Sequence, residues 1–139
     1  MNPAKPLPPV NQDSAPYWRA AREGRLLLRH CTACGNVMFY PRMACPRCLS
    51  MDLGWQEASG RGQVHSATTC FRAPDQAFRA EVPYVIALID LEEGPRMMSN
   101  VTHCAPDEVE IGMAVEVWFD EASDEIAIPK FKPSRKAVA

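Results

Sequence analysis

Four of the six cysteines stand as two close pairs, Cys31-x2-Cys34 and Cys45-x2-Cys48, with ten residues between the pairs. Two residues between paired cysteines let both sulfurs face one point, and the intervening hairpin can bring the pairs together as a tetrahedral four-sulfur set. Zinc is the expected ion. Iron in a rubredoxin-like centre, or a disulfide or vacant arrangement, are the alternatives. Gly35, directly after the second cysteine, can take a positive φ and bring backbone N–H groups near sulfur. Four cysteine ligands leave no open coordination position, so the site is expected to be structural and to supply folding energy rather than to activate water.

Other residues invite chemistry and mostly decline it. His103 and Cys104 are neighbours, and neighbours in a strand point to opposite faces, which argues against a thiol–imidazole pair. Cys70 and Cys104 therefore read as structural or half-exposed residues. His30, beside Cys31, is placed for a hydrogen bond supporting the metal ligands, and Asp90 with Glu92 reads as a solvated turn cluster. No nucleophile–base–acid set emerges, so no catalytic residue is assigned. Arg42 and Arg47 lie between or within the knuckles. With Arg29 they are candidates to receive the phosphates of a nucleotide-like group, or else simply offset the anionic metal–thiolate cluster. Phe39, Tyr40, Phe71, Phe78 and Tyr84 line a ligand channel or serve as core and interface.

The elements that must position these groups follow from patterning. Residues 1–13 carry four prolines and little apolar periodicity, which reads as an extended arm, free or laid on a surface. Ser14 is the expected cap of a short helix at 15–23, with Gly24 as its stop. Nine residues are too few for an independent helix, so it must dock on this chain or a partner. Strands are expected at 26–30 and 37–40 around the first knuckle, and 51–61 as a connector anchored by Trp55. From Gly62 the pattern is all-β, with strands near 63–71, 83–91, 96–102, 113–119 and 126–131. Five short strands without long crossovers suit a small closed barrel. The expected division is thus an arm and helix at 1–24, a metal ribbon and connector at 25–61, a barrel at 62–132 and a tail at 133–139.

Charge separates the halves. Residues 1–62 hold eight basic against four acidic side chains, a balance of +4, and residues 63–139 hold seven against thirteen, a balance of −6. An acidic barrel speaks against general nucleic-acid binding while leaving room for a local phosphate site. No run approaches the ~18–20 apolar residues of a membrane span. The first residues lack the pattern of a secretory signal, so a cytoplasmic protein is expected.

The segments YWRAAREGRLLLRHC, CTACGNVMFYPRMACPRC, LGWQEASGRGQVHS, PYVIALIDLEEGPRMMSNV and EIGMAVEVWF, in this order, resemble the family catalogued as domain of unknown function 35. The resemblance runs over about residues 14–132. It implies a mainly β protein: a short N-terminal helix, a rubredoxin-like four-cysteine zinc ribbon and a five-stranded OB-fold barrel. Family members accompany thiolase-superfamily proteins acting on coenzyme A thioesters, including thiolases, sterol side-chain aldolases and acyltransferases, and the catalytic residues belong to that partner. By this likeness Cys31, Cys34, Cys45 and Cys48 are zinc ligands, and Phe39, Tyr40, Pro41 and Arg42 form the ribbon segment near the partner. The implied function is a non-catalytic accessory subunit of a hetero-oligomer that makes or cleaves a carbon–carbon bond in an acyl-CoA thioester. Contacts of Arg42 and Arg47 with acyl-CoA rest on their charge and position, not on the family motif. A zinc-ribbon/OB-fold nucleic-acid module and a free-standing acyl-CoA carrier or sensor are the competing readings.

Overall fold

The alternation of YVIALIDL sets the architecture. The computed structural model describes residues 5–134, and in it this segment presents Val85, Ala87, Ile89 and Leu91 inward and the residues between them outward. That is the two-residue period of a strand with one buried face. In chain order the elements are a helix α1 (Ala15–Arg22) and strands β1 (Leu27–Cys31), β2 (Val37–Met38), β3 (Leu53–Glu57), β4 (Arg61–Cys70), β5 (Tyr84–Leu91), β6 (Arg96–Val101), β7 (Ala114–Glu121) and β8 (Ala127–Pro133). Two short 3-10 turns, Gln76–Glu81 and Pro106–Glu108, complete them.

Strands β4 to β8 close into a barrel in the order β4-β5-β6-β8-β7, and β2-β1-β3 form a separate three-stranded antiparallel sheet. The mainly β class with one short helix, a four-cysteine ribbon and a five-stranded barrel is the one expected. Long β4 serves two neighbours: Gly62 and Gln63 pair with both β5 and β7, and a register shift between Val64 and Ser66 bends the strand. Gly62 is required at that crossing, because a Cβ there would lie 2.7 Å from the Asp90 carbonyl oxygen. The weakest seam is the parallel β6–β8 contact, one register pair, Val101 with Phe131. Side chains and flanking backbone reinforce it: Ser99 Oγ donates to Pro129 O at 2.9 Å and Thr102 N–H to Phe131 O at 2.8 Å.

Helix α1 docks on this chain's own body, against β1, β7 and β8. Its buried face is Tyr17, Ala20 and Ala21, with Trp18 half-buried beside them and packed against the same core. Ser14 occupies the N-cap position without capping. Its hydroxyl instead accepts from Asn11 N–H, while Asn11 Oδ1 accepts from Ser14 N–H at 2.9 Å, so the arm's own turn takes the cap's place. Gly24, at φ 79, ends the helix as expected.

Two expectations need correction. The connector at 51–61 contains β3, which pairs with β1 along all five of its residues. Residues His103 and Cys104 lie beyond the end of β6, with His103 at φ 65, so strand alternation does not govern where they point. The arm is laid on the surface over residues 5–13: Lys5 bonds Glu81 at 2.7 Å and sits over the Phe78 ring, and Pro8 and Pro9 border a cavity shared with Trp18, Met98 and Ile128. From residue 135 the expected tail falls outside the described residues, as do residues 1–4 of the arm. No helix among the described residues is long and apolar enough to cross a membrane.

Candidate metal centre and its surroundings

β1 delivers Cys31 at its end, β2 returns the chain, and β3 leaves the second knuckle, so the three-stranded sheet holds both cysteine pairs at one end. The four Sγ atoms all lie within 4.8 Å of one another. Cys31 Sγ is 3.5 Å from Cys48 Sγ, and Cys34 Sγ is 3.7 Å from Cys45 Sγ. A tetrahedron of sulfurs ~2.3 Å from a central ion has edges of ~3.8 Å, so this spacing fits one metal. It is far longer than the ~2.05 Å of a disulfide bond, and all six cysteines are free. Cys31 and Cys45 are buried, while Cys34 and Cys48 face solvent.

Backbone dipoles favour thiolates here. Cys34 N–H donates to Cys31 Sγ at 3.4 Å and holds that thiol below its ordinary range against the opposing effect of burial. Burial also opposes ionisation of Cys45, but the N–H groups of Cys48 and Arg47, with Cys34 and the Asn36 amide, bring it down to about 6. Donors aimed at sulfur are what a thiolate-bound ion requires of its surroundings. The ribbon's own apolar core is minimal: Cys31, Met38 and Cys45, with Leu53 against them. Such a unit fits a structural ion both in donor chemistry and in its lack of other cohesion.

The candidate arginines separate. Arg42 and Arg47 are exposed, and neither forms an ion pair among the described residues. Arg29 does not join them. Its guanidinium lies over the Trp55 ring at 4.3 Å, across the β1–β3 pair, with Nε buried. His30 supports no cysteine either; its ring covers Gly54 on β3, where a Cβ would come within 2.8 Å of it. Tyr17, Phe39 and Tyr40 form an edge-to-face chain, with centroids 5.7 and 4.7 Å apart, that joins helix to ribbon. Phe71 is exposed. Sequence reasoning passed over Leu49, whose backbone takes φ 67 while its side chain is 78% exposed. The signal was there in the two knuckles written one above the other: Gly35 and Leu49 occupy the same position.

Away from the ribbon, a groove of about 360 Å³ at one end of the barrel is lined by Phe78, Tyr84, His103, Cys104 and Lys130, among others. Burial, then the nearby Glu108 charge, raises the Cys104 thiol, the reverse of an activated nucleophile. The His103 ring instead meets the Thr102 hydroxyl at 2.7 Å and packs edge-on against Trp118. Lys130 is held by Asp120 at 2.7 Å.

Comparison with known proteins adds the following. Two family models match in tandem, the rubredoxin-like zinc ribbon domain of ChsH2 over residues 18–54 and the C-terminal OB-fold domain of ChsH2 over residues 55–120. A probable enoyl-CoA hydratase alpha subunit of Thermomonospora curvata is 41% identical over 94% of this chain, which spans 40% of that protein's length. A DUF35 domain-containing scaffold protein of Methanocaldococcus jannaschii is 38% identical over 84% of this chain and 87% of its own. Among solved structures, a chain of the Ltp2-ChsH2(DUF35) aldolase superposes with a TM-score of 0.81 at 41% identity, covering 91% of this chain and 98% of that one.

Proposed function

This chain belongs to the DUF35 family of zinc-ribbon and OB-fold proteins, and we propose that it is a non-catalytic accessory subunit of a cytoplasmic enzyme complex acting on acyl-CoA thioesters. What carries this reading is the likeness, over nearly all of its length, to the DUF35 chain of an aldolase. The catalytic partner is a thiolase-superfamily subunit, and the reaction makes or breaks a carbon–carbon bond. In the retro-aldol direction a base on the partner takes the proton of the β-hydroxyl group. The Cα–Cβ bond then breaks, a carbonyl product leaves, and the electron pair passes into the thioester enolate, which is reprotonated at Cα.

Cys31, Cys34, Cys45 and Cys48 hold one structural zinc ion, whose contribution when bound is folding energy at a site with no open position. The division at residues 24, 61 and 132 then corresponds to helix, ribbon and barrel, with the ribbon fixed beside the substrate entrance. Arg42 and Arg47, exposed and without carboxylate partners among the described residues, are free to meet the phosphates of coenzyme A. The chain alone should turn over no β-hydroxyacyl-CoA, and its addition should switch on the partner. Full activity of the partner alone, unchanged by this chain, would refute the proposal. Arg47→Ala should raise KM for the CoA thioester several-fold with zinc content unaltered; an unchanged KM removes the phosphate contact.

A further inference from the structure

The two knuckles repeat one design with one discrepancy. Cys31-Thr32-Ala33-Cys34-Gly35 and Cys45-Pro46-Arg47-Cys48-Leu49 each close when the fifth residue donates its N–H to the carbonyl of the first, at 2.8 Å in both. Both fifth residues are therefore left-handed, Gly35 at φ 79 and Leu49 at φ 67. Glycine adopts this conformation freely, whereas a leucine Cβ is pressed towards the following carbonyl. Strain of this kind persists where something else compensates it. The knuckle's own hydrogen bonds, Leu49 N–H to Cys45 O and Cys45 N–H to Ser50 O at 2.8 Å, hold the backbone there. No packing within the described residues uses the side chain: Leu49 is 78% exposed and belongs to neither apolar cluster.

Its neighbours define what it presents. Met43 is 61% and Met51 69% exposed, and Arg42 and Arg47 are unpaired among the described residues. Residues 40–51 contain no carboxylate. The second knuckle thus carries an exposed leucine on a segment with two cations and no carboxylate, and the complementary surface is a leucine-sized apolar socket with an anionic rim. Resting on the function proposed above, we infer that Leu49 anchors this chain to the acyl-CoA enzyme subunit, seated in an apolar socket beside the mouth where that subunit holds the CoA phosphates. The closed knuckle already fixes the backbone beneath the side chain, so docking has only the leucine rotamers left to order.

The test uses the 139-residue, zinc-loaded chain and the purified enzyme subunit that it activates. Leu49→Gly should raise the chain's thermal midpoint by about 2–5 °C, because the strain is released. It should also weaken the dissociation constant for the subunit at least about tenfold, as loss of a buried anchor does. Leu49→Ala keeps the Cβ, so it should lose the same affinity with no rise in midpoint. Both variants should retain full zinc content, and the affinity loss should be the same with and without CoA.

A Leu49→Gly variant that binds like wild type overturns the anchor while leaving the accessory function standing. A loss seen only with CoA present also overturns it, assigning the effect to the arginines. If wild type binds no acyl-CoA enzyme subunit, both proposals fall. If the variant abolishes self-association of the isolated chain in light scattering, the occupant is a second copy and the inference is wrong.

Discussion

The ribbon and the barrel are held together by different physics. The barrel shares in a cluster of thirteen buried side chains, including Val64, Val85, Ile89, Met97, Val115 and Phe131. The ribbon's separate cluster has three, and two of those are cysteines. One region gains cohesion by removing apolar surface from water, the other by gathering four sulfurs around a point. The border between them runs along β1: Leu28 belongs to the large cluster and Cys31 to the small one. A three-residue step along one strand thus passes from the apolar cluster to the four-sulfur cluster.

The largest expected effect breaks one region and spares the other. Chelation, or Cys45→Ala, should release zinc and collapse the amide resonances of residues 31–53, with loss of binding to the enzyme subunit. Resonances of β5 to β8 should persist, and those of Leu28 and Trp55, which pack on the large cluster, should shift but survive. Concurrent loss of the barrel signals would show one cooperative unit and dissolve the comparison. Full zinc content in Cys45→Ala would show that the four-ligand set is wrong.

What was legible in the sequence follows the same border. Cysteine spacing is local and announced the knuckles; the strict alternation of YVIALIDL announced β5. β3 was not legible, because LGWQE places a glycine in the strand and its burial is half-and-half along its length. Gly54 is there because the His30 ring lies on it, a cross-strand fact that no local pattern carries. Charge alone groups Arg29 with Arg42 and Arg47, whereas register puts it opposite Trp55. Residue type alone makes Ser14 a cap, whereas the Asn11 N–H takes its hydroxyl. Leu49 escaped because spacing shows that a knuckle closes but not what its closing costs the residue that closes it.

The reverse experiment sharpens the contrast at intermediate size. Phe131 is fully buried in the barrel and carries the parallel seam with Val101. Phe131→Ala should cost about 3–5 kcal/mol, the transfer loss plus the cavity left behind. Zinc stoichiometry, read by a metallochromic assay on the still-folded fraction, should be unchanged. Zinc loss in step with barrel destabilisation would mean that the ribbon borrows its order from the barrel after all.

The smallest effect tests charge on the barrel surface. Asp90 receives the Arg96 guanidinium and lies 3.3 Å from His65 Nδ1, and its carboxyl is held below the ordinary value of 3.8, first by the Arg96 hydrogen bond. A lowered folded-state pKa stabilises the fold above the unfolded value, and that contribution is lost as pH falls through the folded one. Asp90 is 41% exposed, so solvent screens the pair and the gain is small. Asp90→Asn should therefore lower the barrel's midpoint slightly at pH 7. The difference should close below pH 3.8, where the wild-type carboxyl itself begins to protonate. The same substitution should leave zinc retention untouched at every pH, because Asp90 lies on β5, outside the metal ribbon. A pH-independent difference would assign the effect to packing rather than charge, and altered zinc retention would show that the two regions are electrostatically coupled.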